Sequence, residues 1–396
     1  MRVLVVNAGS SSVKVRLLDG ATGVERAGGV ERAGGAGEAG GAGGFGEAGG
    51  AGGFVVVGSA DLPATAGEFA LAGLRQALAR LGPADAVGHR IVHGGRDFRA
   101  PVRIDDRVRA DIAALRDLAP LHQDAGLAGI RAVTELLPDT PAVACFDTAF
   151  HADLPAAAAT YPVPAEWRER YAVRRYGFHG LSHRYAARRA AELTGRDPAT
   201  ARVVSCHLGS GASLCAVAGG RSVDTTMGFT PLEGVVMSTR SGTVDPGLVT
   251  WLAANTGLAV DEIGRDLEQR SGLLALAGTA DMREVLAARD AGSRSARRAL
   301  DVYLHRLRAG IAAMTAALGG LDVLAFTGGI GEHAPAVRAG AAAGLAFLGV
   351  AVDPARNDAA HGDADVSAAD AAVRTAVVTA REDAEIAAQV RTVLAG

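Results

Sequence analysis

Lys14 is the one lysine among the 40 basic residues of this chain; every other basic position is arginine. In a chain that uses arginine everywhere else, the exception marks a place that a planar, forked guanidinium does not suit. Lys14 follows N-A-G-S-S-S-V, residues 7–13. Gly9 lets backbone approach a ligand closely, and successive N–H groups in a tight turn make an anion-binding concavity. With Ser10 and Ser12 around it, a compact ammonium there is a point-charge partner for phosphate. A surface hairpin with a polar tip explains the stretch, taken alone, equally well. A second Gly-rich turn, T-G-G-I-G-E-H at 327–333, follows the apolar run 323–326. Strand, Gly-rich turn and helix start form a geometry that suits nucleotide phosphates. Neither a P-loop nor a G-x-G-x-x-G fingerprint is present. Glu332 also reads as a helix N-terminal acid favoured by the dipole.

Arg90 lies in G-H-R-I-V-H-G-G (88–95) and Arg240 in S-T-R-S-G-T-V-D-P-G (238–247). Loops of this kind carry function on a rigid scaffold, although a solvated charge is the ordinary role of an arginine. Asp147 ends the apolar run 142–147, as a site residue or as the cap of the next helix. His89/His93 and His179/His183 are i, i+4 pairs, but neither contains the glutamate of H-E-x-x-H, so zinc is disfavoured.

The elements that must position these residues follow from periodicity. Apolar alternation predicts strands on both sides of the 7–13 turn. Val55 to Val57 read as a strand and 67–81 as an Ala/Leu-rich helix. Helices are expected at 105–118, 123–137, 181–194, 247–256, 260–271, 281–290 and 294–318, with strands at 142–147 and 323–326. Residues 27–54 contain G-E-A-G-G-A-G-G-F twice, at 37–45 and 46–54. Such a segment cannot bury enough side chain to offset its chain entropy, so a flexible excursion is expected. Residues 202–213 repeat the plan of 2–13: Arg, Val, Gly and Ser match at 2/202, 3/203, 9/209 and 10/210. A duplicated α/β unit, with two phosphate-facing hairpins and a cleft between halves, is the reading.

At 396 residues two domains are expected. A net charge of −3 leaves no basic footprint for nucleic acid. No apolar run reaches about 18 residues and the N-terminus has no signal-like pattern, which points to the cytoplasm and away from a membrane. Cys145, Cys206 and Cys215 each sit in an apolar run, so buried thiols are expected rather than disulfides.

Together V-V-N-A-G-S-S-S-V-K, G-H-R-I-V-H-G-G, F-D-T-A-F-H, Y-G-F-H-G-L-S-H, H-L-G-S-G-A-S, T-P-L-E-G-V-V-M-S-T-R-S-G and F-T-G-G-I-G-E resemble the acetate kinase family, within the acetate and sugar kinase/Hsp70/actin superfamily. The resemblance implies Mg²⁺-dependent, reversible phosphoryl transfer from ATP to acetate, giving acetyl phosphate and ADP by direct in-line transfer. Manganese is the alternative ion. It implies an α/β fold of duplicated RNase H-like, actin-like ATPase domains and a homodimer. The domains would be 1–149, carrying the 27–54 excursion, and 150–383, with a C-terminal helix at 384–396 packing back on the first.

Carried over by position, the resemblance gives Asn7 and Glu382 to the metal. It gives Lys14, Ser10, Ser12, His207, Leu208, Gly209, Ser210, Gly211, Asp281, Met282, Arg283, Gly329, Ile330, Gly331, Glu332 and His333 to the nucleotide. Arg90 would hold the acetate carboxylate, and Val92, Leu121, Phe178 and Pro231 its methyl group. Asp147, His179, Arg240 and Arg90 would surround the transferring phosphoryl group. Three positions depart from the family pattern: Ser210 and His333 each replace an asparagine, and A-R-E-D surrounds Glu382. Propionate or butyrate is the alternative substrate, and a non-catalytic nucleotide-binding regulator is the alternative class. A regulator would have no use for Arg90, Asp147, His179 and Arg240 together.

Overall fold

The computed structural model describes residues 1–8, 12–20, 53–65, 68–69 and 71–396. The Gly/Ala-rich excursion therefore lies outside the described residues except at its end, as do Gly9, Ser10 and Ser11.

Two sheets organise the chain. The first contains β1 (Arg2–Ala8), β2 (Ser12–Gly20), β3 (Phe54–Thr65), β4 (Glu68–Phe69), β5 (Ala86–Ile91), β6 (Val102–Arg103) and β7 (Ala142–Phe146), in the order β4-β3-β2-β1-β5-β7-β6. The second contains β8 (Arg202–Leu208), β9 (Ala212–Ala218), β10 (Arg221–Thr225), β11 (Val323–Thr327), β12 (Ala364–Asp365) and β13 (Arg374–Val377), in the order β10-β9-β8-β11-β13-β12. The sequence repeat is a structural repeat. β1 runs antiparallel to β2 and parallel to β5, and β8 runs antiparallel to β9 and parallel to β11. Asn7 pairs with Lys14 across the first hairpin and His207 with Ser213 across the second.

Side-chain alternation then divides each sheet into two faces. On β1, Leu4 and Val6 pack with Leu74, Val87 and Val133 on the outer face. Val3 and Val5 point inward, where they join one core with residues of the second sheet. That shared core is filled by two helices, Gly180–Leu193 and Glu382–Ala395. Leu181, Tyr185 and Ala190 meet Val203, Cys215 and Val323, while Ile386 and Val390 meet the first sheet. Burying one such aliphatic side chain stabilises by about 1.5–3 kcal/mol. The approach is close: a Cβ on Gly88 would lie 2.5 Å from Ile386 Cγ2, so β5 needs glycine there. Glu385, buried on one helix, pairs with Arg184 and Arg188 on the other.

Several expected boundaries move. β3 is far longer than Val55–Val57, because it pairs with β2 from Gly20↔Phe54 to Ser12↔Pro63. Its irregular sequence hides that length. The helix expected from 67 starts at Leu71, and Glu68–Phe69 form a short strand instead. The helix expected over 105–118 ends at Ala114 and gives way to a 3₁₀ turn, Arg116–Leu118. Phe54, placed at the end of the excursion, begins β3; its ring is buried and Arg391 lies over it. The C-terminal helix starts two residues earlier than 384, which puts Glu382 and Asp383 in its first turn. All three cysteines are buried and unpaired.

Candidate active site

A cavity of about 460 Å³ opens between the two sheets. Alternation on the inner face of the first sheet delivers Asn7 from β1, Lys14 and Arg16 from β2, and Arg90 from β5. The second half supplies His179, His207, the turn Gly209–Gly211, Arg240 and the turn at Gly328–Gly329. The two glycine turns touch. Gly328 has φ +77°, and a Cβ there would lie 2.9 Å from the Leu208 carbonyl oxygen.

Arg90 is the hub of the first side. Its Nη2 donates to Asp147 Oδ2 at 2.6 Å and its Nε to both carboxylate oxygens at 3.2 Å. Nη1 donates to Asn7 Oδ1 at 3.2 Å and lies 3.6 Å from Glu382 Oε2. Asn7 Nδ2 reaches the same Glu382 oxygen at 3.4 Å. Asp147 is 1% exposed. Burial raises its pKa against the pull of Arg90; the Arg90 pKa is raised too, because Asp147 and Glu382 outweigh its own desolvation. Asp147 is absent from the cavity lining and fixes the direction of the Arg90 guanidinium through these contacts.

His179 and Arg240 form the other side. His179 is the N-cap of the helix Gly180–Leu193 and sits at φ 56°, ψ 24°, left-handed for a residue with a side chain. Strain of this kind concentrates at functional sites. Gly180 N donates to the Asp147 carbonyl at 3.0 Å, and a Cβ at Gly180 would lie 2.1 Å from that oxygen. The strained histidine is therefore pinned to the strand end that carries Asp147. His179 stacks on His207 with centroids 4.3 Å apart. Burial drives the His179 pKa well below its ordinary value, and His207, His183, Arg90 and Arg240 push the same way. Burial thus favours the neutral ring. A Cβ on Gly211 would lie 3.3 Å from His179 Nε2 and 3.4 Å from Arg240 Nη1, so both side chains converge on that glycine. Among the described residues Arg240 itself has loose partners: the Pro231 carbonyl at 3.5 Å, Glu268 at 3.8 Å and Met237 Sδ at 3.9 Å. Its turn is clamped from below by Gly272, whose Cβ would meet the Met237 and Arg240 carbonyls at 2.2 and 2.7 Å.

Not every expected residue offers its side chain to the cavity. Leu208 and Met282 are buried in the core of the second half, so only their backbone is available. Asp281 caps the helix Met282–Asp290 and pairs with the exposed Arg283, away from the cavity lining. Glu332 lines the cavity, but its Oε1 accepts from Gly328 N and Ala380 N at 3.1 and 3.0 Å. It braces two loops rather than merely facing the helix dipole. Gly331 is buried, Ile330 packs on the core and His333 is exposed at the helix end. Ser210 lines the cavity, and Ser12 opens β2. Phe178 is buried edge-on to His93, and Val92 packs on the same core. Leu121 is the second residue of the helix Pro120–Leu136; its side chain lies outside the described residues.

Arg16, Ala380 and Asp383 are polar or loop residues of the lining that escaped the sequence reading, beside Val5, Ile386 and, outside its turn motif, Gly328. Arg16 follows Lys14 by two positions and shares its strand face, a period-2 signal that was available. It donates to Asp383 Oδ2 at 2.8 Å. Asp383 and Ala380 flank the start of the last helix, and nothing local marks them as facing the cleft.

The family model of the acetokinase family matches residues 2–388. An acetate kinase of Gloeobacter violaceus is 54% identical over 305 residues, covering 76% of this chain and 75% of that one. The crystal structure of Porphyromonas gingivalis acetate kinase matches with a TM-score of 0.84 at 33% identity, over 99% of each chain. A propionate kinase from Francisella tularensis matches with the same TM-score at 32% identity, again over 99% of each. With these likenesses, the repeated topology is that of duplicated actin-like ATPase domains.

Proposed function

The chain belongs to the acetokinase family and carries that family's acetate kinase activity, and from this premise we propose that ATP and acetate meet in the cleft between the sheets, where the γ-phosphoryl group passes directly to the acetate carboxylate. A carboxylate is already ionised at neutral pH, its pKa being near 4.3 for a glutamate-like group, so no general base is needed. The obstacle is the approach of one anion to another. Positioned donors around the equatorial oxygens remove it. The carrying observation is the convergence of Arg90, Arg240 and the neutral His179 on one glycine-lined cavity. Arg90 orients the carboxylate, and Arg240 and His179 Nε2 receive the developing charge, with His207, Gly209, Ser210, Gly211, Gly329 and Lys14 along the phosphate chain. A hydroxamate assay with ATP, Mg²⁺ and a series of short carboxylic acids tests the reading. Acetyl hydroxamate should form, and its absence with propionyl product present would transfer the reading to propionate. Val92, Leu121, Phe178 and Pro231 are proposed to wall the methyl group. One methylene is worth only about 1–3 kcal/mol, so leakage to propionate is expected.

Asn7 Oδ1 and the Glu382 carboxylate are hard oxygen donors on two cavity-lining residues that already touch, Asn7 Nδ2 donating to Glu382 Oε2 at 3.4 Å. Magnesium is bound through one or two such groups plus phosphates and water, so this pair suits it, and manganese as its alternative. When bound, the ion would neutralise charge on the β- and γ-phosphates. The division into 1–149 and 150–383 is supported by β1–β7 preceding it and β8–β13 following it. A homodimer is supported by exposed Leu248 and Trp251 on the helix Pro246–Asn255 and by Val260 nearby. The cytoplasm, where ATP is available, is the proposed location.

Lys14 has no ion-pair partner among the described residues and reaches the cavity from β2. Lys14→Arg should weaken ATP binding and lower kcat at least about tenfold, although the charge is kept, because the wider guanidinium does not fit a phosphate-binding turn as a point charge. Steady-state kinetics against ATP decide it. Wild-type values in the arginine variant would make Lys14 an ordinary exposed cation.

A further inference from the structure

His179 is held from behind as well as presented to the cleft. Its Nδ1 lies 2.8 Å from Ser213 Oγ, and the same oxygen lies 2.7 Å from His183 Nε2. His183 Nδ1 in turn lies 3.0 Å from Ser205 Oγ. Ser205, Ser213 and His183 are all wholly buried. The fold explains the line. Ser205 on β8 and Ser213 on β9 face the helix Gly180–Leu193, and His183 follows His179 by one helical turn. Burial, with His151 and His207 adding to it, also holds His183 well below its ordinary pKa, so it is neutral and has a single N–H.

A serine hydroxyl carries one proton. Ser213 sits between two imidazole nitrogens, so it donates to one and must accept from the other. The tautomers of His179 and His183 are therefore locked together. If Ser213 donates to His179 Nδ1, His183 carries its proton on Nε2, and its Nδ1 accepts from Ser205. His179 then has its proton on Nε2, the nitrogen facing Gly211 and Arg240. The opposite setting would turn a bare lone pair toward Arg240 and toward a cavity whose cations, Lys14, Arg90 and Arg240, are placed for an anion, while its carboxylates Glu382, Asp383 and Glu332 are held by Arg90, Arg16 and backbone N–H groups. We propose that the buried chain Ser205–His183–Ser213 is a positioning relay that holds His179 as an Nε2–H donor to the transferred phosphoryl group. His207 has a shorter version, with Nδ1 2.8 Å from Ser182 Oγ. The inference rests on the reading of His179 as a donor in the cleft.

The test is ¹⁵N spectroscopy of the histidine rings in the full-length enzyme with Mg²⁺, ADP and aluminium fluoride, an anionic stand-in for the phosphoryl group. His179 and His183 should both carry the proton on Nε2. A proton on His179 Nδ1 in that complex overturns the relay, and this measurement needs no variant to fold. Ser213→Ala should leave the His179 tautomer mixed and lower kcat about tenfold or more, as partial loss of a transition-state donor does, with the KM values for ATP and acetate nearly unchanged. Ser213→Thr, which keeps the hydroxyl, should restore both. Wild-type kcat in a folded Ser213→Ala enzyme would equally sink the proposal. His179→Ala separates the two readings. Wild-type kcat in that variant removes the cleft reading and the relay with it. A loss of at least about 10² in kcat there, beside an Nδ1–H tautomer in the wild type, removes the relay alone.

Discussion

Arg240→Ala is expected to lower kcat by at least about 10³ while leaving the fold and the melting temperature almost unchanged. The reason is how little the guanidinium does in the free chain. It touches a carbonyl at 3.5 Å, a half-exposed carboxylate at 3.8 Å and the Met237 sulfur at 3.9 Å, distances at which none of the contacts contributes much. Burial works against its charge, and Glu268 only partly offsets this. An arginine kept desolvated with so few partners is organised for an anion that arrives later. Donors of that kind act in the transition state, and one arginine beside a transferring phosphoryl group is worth about 10³–10⁵ in rate. Arg240→Lys should not recover the loss, because a point charge on a flexible stem cannot reproduce the planar fork. Stopped-time assays of acetyl phosphate formation alongside thermal melts check both halves. A variant with wild-type kcat takes Arg240 out of the site, and one with low kcat and a collapsed melting temperature makes its role structural.

Arg90→Ala should show the opposite pairing of effects, losing activity and stability together. Arg90 is bound to Asp147 through two nitrogens, and Asp147 is 1% exposed. Removing the guanidinium strands a buried carboxylate, and breaking a buried pair from one side costs about 3–5 kcal/mol. The KM for acetate should rise and kcat should fall, since Arg90 is assigned to both carboxylate binding and the transferring group. A second substitution separates the two losses. In Arg90→Ala/Asp147→Asn no charge is stranded, so most of the stability should return while activity stays lost. A double-mutant cycle on melting and on kcat measures this coupling. If activity returned with stability, Arg90 would be a structural residue and the acetate carboxylate would need another partner.

Many of the residues that line the cavity were legible, because turn chemistry is local. Gly328 marks a place where backbone comes close, and the lone lysine, Arg90 and Arg240 stand out by type and by their glycine-rich context, although Arg90 proves to lie on β5 rather than in a loop. The repeat at 2–13 and 202–213 was legible for the same reason, since each hairpin is contiguous. Helix 294–318 could be read to the residue, because a long 3.6-residue period survives any surroundings. What the sequence could not decide are meetings between distant segments. Glu382 reaches Asn7 across 375 positions, and Arg90 meets Asp147 across 57. Those contacts depend on which strands pair, in which register, and on one helix returning from the C-terminus to the first sheet. The length of β3 belongs here too: its irregular sequence is held extended by pairing with β2, not by its own propensity. Likewise Glu332 looked like a helix-end acid until the second sheet brought Ala380 beside it. The direction of His179 needed two strands and a helix to place one serine between two histidines. A hydrogen-bond partner is chosen by packing in three dimensions, and local pattern carries no record of that choice.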